Sequence, residues 1–130
     1  TNGTRIAVEN MIFRGHWRYG TSMTDLSADL PDPRIGFCVD TGHALLNKLD
    51  VAAELRAAGP RLVSLHAANN DGDYDQHKVP TDGLIDWNVV ERTLRDMAYE
   101  SRIVLEVIDR KTPADETFAR VARLHEEIPW

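Results

Sequence analysis

Arg34-Ile35-Gly36-Phe37-Cys38-Val39-Asp40-Thr41-Gly42-His43 is the stretch whose reading decides the fold. Its apolar run lacks the polar alternation of a half-exposed strand, and such runs suit strands covered on both faces, as in parallel sheets. It closes on an acid followed by Thr41-Gly42-His43, where the glycine lets the chain turn. The same design recurs on either side. Arg5-Ile6-Ala7-Val8-Glu9 precedes it, with Asn10 just past its end, and Pro60-Arg61-Leu62-Val63-Ser64-Leu65-His66 and Ser101-Arg102-Ile103-Val104-Leu105-Glu106-Val107 follow.

Helical stretches fill the gaps. Asp50 to Ala58 is Ala-rich and stops at Gly59-Pro60, a C-terminal signal. Asp86 is placed to cap a helix from Trp87 to about Tyr99, with Trp87, Val90, Leu94 and Met97 on one face. Thr112-Pro113 opens a last helix with Pro at the first position and a Phe118, Val121, Leu124 stripe. A shorter helix is expected from Thr24 to Leu30, ended by Pro31-Asp32-Pro33. Strands alternating with helices predict an α/β fold with a parallel sheet.

The 130 residues carry 15 Lys and Arg against 21 Asp and Glu, a net charge of −6, and 42% are hydrophobic. That is globular composition and one domain's length, taken as residues 1–130. No apolar run approaches the roughly 20 residues of a membrane helix, and no signal-peptide pattern is visible. The single Cys38 cannot form an internal disulfide and reads as a core residue in a reducing, cytoplasmic setting. Net acidity disfavours holding polyanions. The chain begins with Thr1 rather than Met and is expected to be a piece of something longer.

The four strands finish in Glu9, Asp40, His66 and Glu106. In a closed barrel of parallel strands such ends converge on one mouth, where active sites are built. Three carboxylates and an imidazole brought together need a cation, because gathering acids in a buried place is otherwise costly. Any one of them alone reads as a helix cap or loop residue; four at equivalent places read as metal ligands. The oxygen-rich set suits Mn²⁺, Mg²⁺ or Co²⁺ and permits Zn²⁺, with Mn²⁺ or Zn²⁺ the expected cofactor. His43 lies three residues past Asp40, and Asp75 and His77 alternate in the loop after the third strand, so an extended backbone would face both towards one ion. His43, Asp75 and His77 are either a second, nitrogen-richer metal shell or substrate contacts; both readings stay open. Arg14, His16, Arg18 and Tyr19 form a basic-aromatic loop that reads as solvated, and Trp17, Trp87 and Trp130 read as packing residues.

These residues resemble the xylose isomerase-like TIM-barrel superfamily, which holds sugar isomerases, epimerases and endonuclease IV (AP endonuclease family 2). The similarity runs from Val8-Glu9-Asn10 through Val39-Asp40-Thr41-Gly42-His43 and Leu65-His66 to Leu105-Glu106-Val107. It includes Asp71-Gly72-Asp73-Tyr74-Asp75-Gln76-His77 with Pro80, Gly83 and Ile85-Asp86-Trp87. The resemblance implies a TIM (β/α)8 barrel, of which this chain is the C-terminal half-barrel, strands five to eight. A whole barrel takes about 250 residues, so the implied partner is the missing N-terminal half-barrel. A half alone, with two open edges and an open apolar interior, is expected to associate, as a homo-oligomer or an aggregate.

The function implied is a divalent-metal-dependent sugar or sugar-phosphate isomerase or epimerase, with Glu9 and Glu106 both ligands and the proton-transferring pair. Its partner is a small sugar or sugar phosphate, and no membrane is involved. The alternative is an endonuclease IV-like zinc phosphodiesterase at abasic DNA, which the complete set through His43, Asp75 and His77 keeps open. Against it stand the acidic balance and Asn10-Met11-Ile12-Phe13, where endonuclease IV has a different segment. A non-catalytic barrel relative is the third reading. Two further departures from the family pattern are Asn69, where many members carry Asp, and Thr81-Asp82-Gly83 in place of Gly-x-Gly. The first removes a charge expected near the mouth.

Overall fold

The computed structural model describes residues 5–13, 20–108 and 112–128. Arg14, His16, Trp17, Arg18, Tyr19 and Trp130 lie outside the described residues, so the readings placed on them have no structural counterpart here. Among the described residues four strands, β1 (Ile6–Glu9), β2 (Ile35–Asp40), β3 (Leu62–Ala67) and β4 (Arg102–Leu105), form one sheet in sequence order. Every pairing is parallel. Six α-helices among the described residues connect or follow them: α1 (Met23–Asp29), α2 (Thr41–Leu46), α3 (Val51–Ala58), α4 (Trp87–Asp96), α5 (Ala114–Ala122) and α6 (Leu124–Glu127). This is a partial TIM barrel, as expected.

Register sorts the side chains between two faces. Glu9 pairs with Cys38, Asp40 with His66, and His66 with Val104. Paired residues of neighbouring strands share a face, and alternate residues along a strand return to it. Glu9, Asp40 and His66 therefore stand on one face at the carboxyl rim. The opposite face carries Phe37, Val39, Leu62 and Leu65, which pack with Leu55, Val90 and Leu94 of the helices into one core. An apolar interior was expected on the concave face. That face is apolar in part: Ala7, Cys38 and the exposed Val104 stand on it beside Gly36 and Ser64. Gly36 is held to glycine by space: an added Cβ would lie 2.6 Å from Val63 Cγ2.

Several boundaries differ from the sequence expectation. α2 was expected as a turn, but the Asp40 side chain accepts from His43 N at 2.8 Å and starts a helix there. Pro60 and Arg61 belong to a 3-10 turn rather than to β3, because α3 ends at Gly59 in a left-handed conformation, φ +54°. The helix expected to reach Tyr99 stops at Asp96, since Ala98 takes φ +50° and sends Tyr99 back towards the core. Pro113 is the residue before α5 and not its first member. The chain pauses at Arg123 before α6, so Leu124 opens a new turn instead of closing the old one. Among the described residues no helix is long and apolar enough to cross a membrane.

Candidate metal centre

Asp40 is the hinge of the site. It ends β2, caps α2 through Oδ1 and is fully buried, while its Oδ2 has no hydrogen-bond partner. Burial raises its pKa, and the charges of Glu9 and Glu106 add to that effect against the pull of His43. A buried carboxylate oxygen without a donor is the arrangement a cation corrects. Asn10 holds the Asp40 backbone on both sides: its amide donates to Asp40 O at 3.1 Å, and its Oδ1 accepts from Asp40 N at 2.7 Å.

His66 faces the same point. Its Nδ1 lies 2.9 Å from Glu106 Oε2, 3.3 Å from Glu9 Oε1 and 4.0 Å from Asp40 Oδ2. One donor atom from each of Glu9, Asp40, His66 and Glu106 falls within 4.8 Å of all the others. These four residues could hold a metal ion between them, and the unpartnered Asp40 oxygen fits that use. Glu9 and Asp40 are the last residues of their strands, whereas His66 is one short of the end of β3 and Glu106 one beyond β4. The stagger follows the register, since Val104, two residues before Glu106, pairs with His66.

His43, Asp75 and His77 also meet. Asp75 Oδ2 is 2.9 Å from His77 Nε2 and 3.4 Å from His43 Nε2. The Nδ1 atoms lie against main-chain carbonyls, Asn10 O at 2.9 Å for His43 and Glu106 O at 3.1 Å for His77. Each Nε2 faces Asp75 Oδ2, so both ring nitrogens of His43 and of His77 stand opposite acceptor oxygens. His77 reaches Asp75 from a left-handed backbone, φ +49°, rather than along a simple extended run. Burial alone would lower the His43 pKa; Asp40, the Asn10 carbonyl, Asp75 and Glu9 outweigh it and raise the pKa. The two groups touch, with His43 Nδ1 3.5 Å from Glu9 Oε1. Cys38 takes no part: burial pushes its thiol up to about 12, so it stays protonated.

Sequence reasoning missed the residues that set this geometry. Thr41 Oγ1 donates to Ala68 O at 2.6 Å and accepts from Ala68 N at 3.2 Å, tying β3 to α2. Buried Asn70 donates to Gly42 O at 3.0 Å. Asn69 does not leave a gap at the mouth. It is buried, donating to Pro80 O and Ile85 O and accepting from Asn70 N and Ile85 N. A polar residue directly after an apolar strand was the available signal, and it does not separate a ligand from a brace.

A β/α half-barrel with acids and an imidazole gathered at its carboxyl rim defines a class of protein. The chain belongs to the xylose isomerase-like TIM-barrel family, whose pattern matches residues 1–128. An uncharacterised protein of Sinorhizobium fredii is 26% identical over 115 residues, 88% of this chain and 37% of that protein. The solved structure of a D-tagatose 3-epimerase-like protein is 25% identical, with a TM-score of 0.70, over 96% of this chain and 49% of that one. Escherichia coli 3-keto-D-glucoside 4-epimerase shares the fold at 19% identity, with a TM-score of 0.72, over 95% of this chain and 46% of that one. The chain spans less than half the length of each of these proteins.

Proposed function

We propose that residues 1–130 form one partial barrel domain of a divalent-metal-dependent sugar or sugar-phosphate isomerase or epimerase. The observation that carries this reading is the convergence of Glu9, Asp40, His66 and Glu106 around the unpartnered Asp40 oxygen. Those four residues would hold the ion, Mn²⁺ or Zn²⁺. Bound there, it would supply Lewis acidity that stabilises charge developing on adjacent sugar oxygens. Exposure divides the acids by task. The Asp40 side chain is 1% exposed and serves only to hold, while those of Glu9 and Glu106 are 28% and 39% exposed and can reach a substrate. Glu9 and Glu106 approach His66 Nδ1 from separate strands, so one carboxylate takes a proton from carbon and the other returns one. His43 orients a substrate hydroxyl.

A second reading rests on a separate observation, the meeting of His43, Asp75 and His77. Those residues suit zinc and favour an endonuclease IV-like phosphodiesterase at abasic DNA. One experiment tests both: the polypeptide carrying this chain is assayed with Mn²⁺ or Zn²⁺ against ketoses and against an abasic-site duplex. Sugar turnover is expected, and Glu9→Gln or Glu106→Gln should each lower kcat by about 10²–10⁴-fold. Duplex cleavage without sugar turnover would overturn the first reading in favour of the second.

A further inference from the structure

The backbone pairing of β1 with β2 ends at Glu9 and Cys38, whereas β2 runs on to Asp40. In a parallel pair every second residue of a strand turns its N–H and C=O to the same neighbour. Asp40, two residues past Cys38, therefore presents both groups to the β1 side. There the buried Asn10 side chain takes the place of main chain, its amide donating to Asp40 O at 3.1 Å and accepting from Asp40 N at 2.7 Å. This use calls for a donor and an acceptor on separate atoms of a short side chain. A carboxylate has no donor, and a hydroxyl offers one oxygen for both bonds.

The consequence falls on two carboxylates. Glu9 adjoins Asn10 in the chain, and Asp40 is the residue the amide grips, so one short linkage joins the acids of β1 and β2. Asp40 has little freedom besides. Its Oδ1 accepts from His43 N, and its unpartnered Oδ2 lies 4.0 Å from His66 Nδ1, where Glu9 Oε1 stands at 3.3 Å. Asn10 O in turn lies 2.9 Å from His43 Nδ1. Contacts thus run from Asn10 to Asp40, from Asp40 to His43 and back to Asn10, a closed ring that fixes where the Asp40 carboxylate points.

We infer that Asn10 is a positioning residue for the metal centre: by gripping the Asp40 main chain it holds Glu9 and Asp40 at the separation from which both reach one ion. The inference rests on the reading of Glu9, Asp40, His66 and Glu106 as ligands and adds a residue that acts through two of them. Equilibrium dialysis of the polypeptide carrying this chain against Mn²⁺ tests it, with denaturant melts of the metal-free proteins alongside. Asn10→Ala and the milder Asn10→Ser should each weaken Mn²⁺ binding by about 10–100-fold, the range for losing a group that orients a ligand. At saturating Mn²⁺ both should also alter the electron paramagnetic resonance spectrum of the bound ion. Glu54→Ala, which removes a buried hydrogen bond between α3 and α1 away from the rim, should lower the melting midpoint and leave Mn²⁺ affinity unchanged. Native affinity or an unchanged spectrum in the Asn10 variants, beside saturable binding by the unsubstituted protein, overturns the positioning role alone. So does an equal loss of affinity in Glu54→Ala, or failure of both Asn10 variants to fold, since Asn10 would then serve the fold as a whole. Absence of saturable binding by the unsubstituted protein overturns the metal reading and the positioning role with it.

Discussion

Glu54 shows how a single acid away from the rim shapes stability. It is buried on α3, and its Oε2 accepts from Met23 N, the first residue of α1, at 2.6 Å. Burial raises its pKa above the usual carboxylate value, the Met23 hydrogen bond opposes this, and Asp25 adds to it. The unfolded chain therefore loses this proton at lower pH than the folded one. The stabilising contribution is complete below the unfolded pKa and declines as pH rises through the folded value. Glu54→Gln keeps an acceptor for Met23 N without the titration. Introduced into the polypeptide carrying this chain, it should gain stability relative to the unsubstituted protein as pH rises above the usual carboxylate range in denaturant melts; a constant difference would refute the burial argument. The site residues show what was legible at this scale. Asp40, His66 and their partners stand out because each acid or imidazole interrupts an apolar run. Asn10 and Thr41 do not, because a brace is defined by the backbone atoms it meets, and those belong to other strands.

At the scale of elements, strands were easier to place than the segments that join them. The four apolar runs were placed correctly, although only β2 is buried along nearly its whole length and β1 and β4 keep exposed positions. α2 escaped because Thr41-Gly42-His43 is poor helix sequence, and the Asp40 cap and the burial of Thr41 to Ala44 offset that. The loop between β3 and α4 offered the least local signal, since its order comes from Asn69, which bonds residues up to sixteen positions away. Asn69→Asp, although it restores the acid common in this family pattern, should weaken the fold. The carboxylate cannot donate to Pro80 O or Ile85 O, and leaving buried carbonyls unpaired costs about 1–3 kcal/mol each. A fall in the denaturation midpoint of the polypeptide carrying this chain is the expected reading, and an unchanged midpoint would show the loop to be held by other contacts.

For the whole molecule, β1 and β4 each have one neighbour in the sheet, so among the described residues both outer edges lack a strand. Ile6 on β1 is exposed, and α5 buries none of its described residues, leaving Phe118 in solvent. These surfaces match what the other half of a barrel would cover. Residues 1–130 expressed alone should elute above monomer size and melt without cooperativity, whereas a sharp monomer peak with a cooperative transition would contradict that. A partial barrel was legible from the count of β/α units against a barrel's length, and four parallel strands bear it out.

The most direct test of the shared ion is equilibrium dialysis of the polypeptide against Mn²⁺ and Zn²⁺, comparing the native chain with Asp40→Asn and Glu106→Gln. Saturable binding by the native chain, weakened at least tenfold in both variants, is the expected result. Absence of saturable binding, or equal binding by all three proteins, would contradict a metal held between Glu9, Asp40, His66 and Glu106.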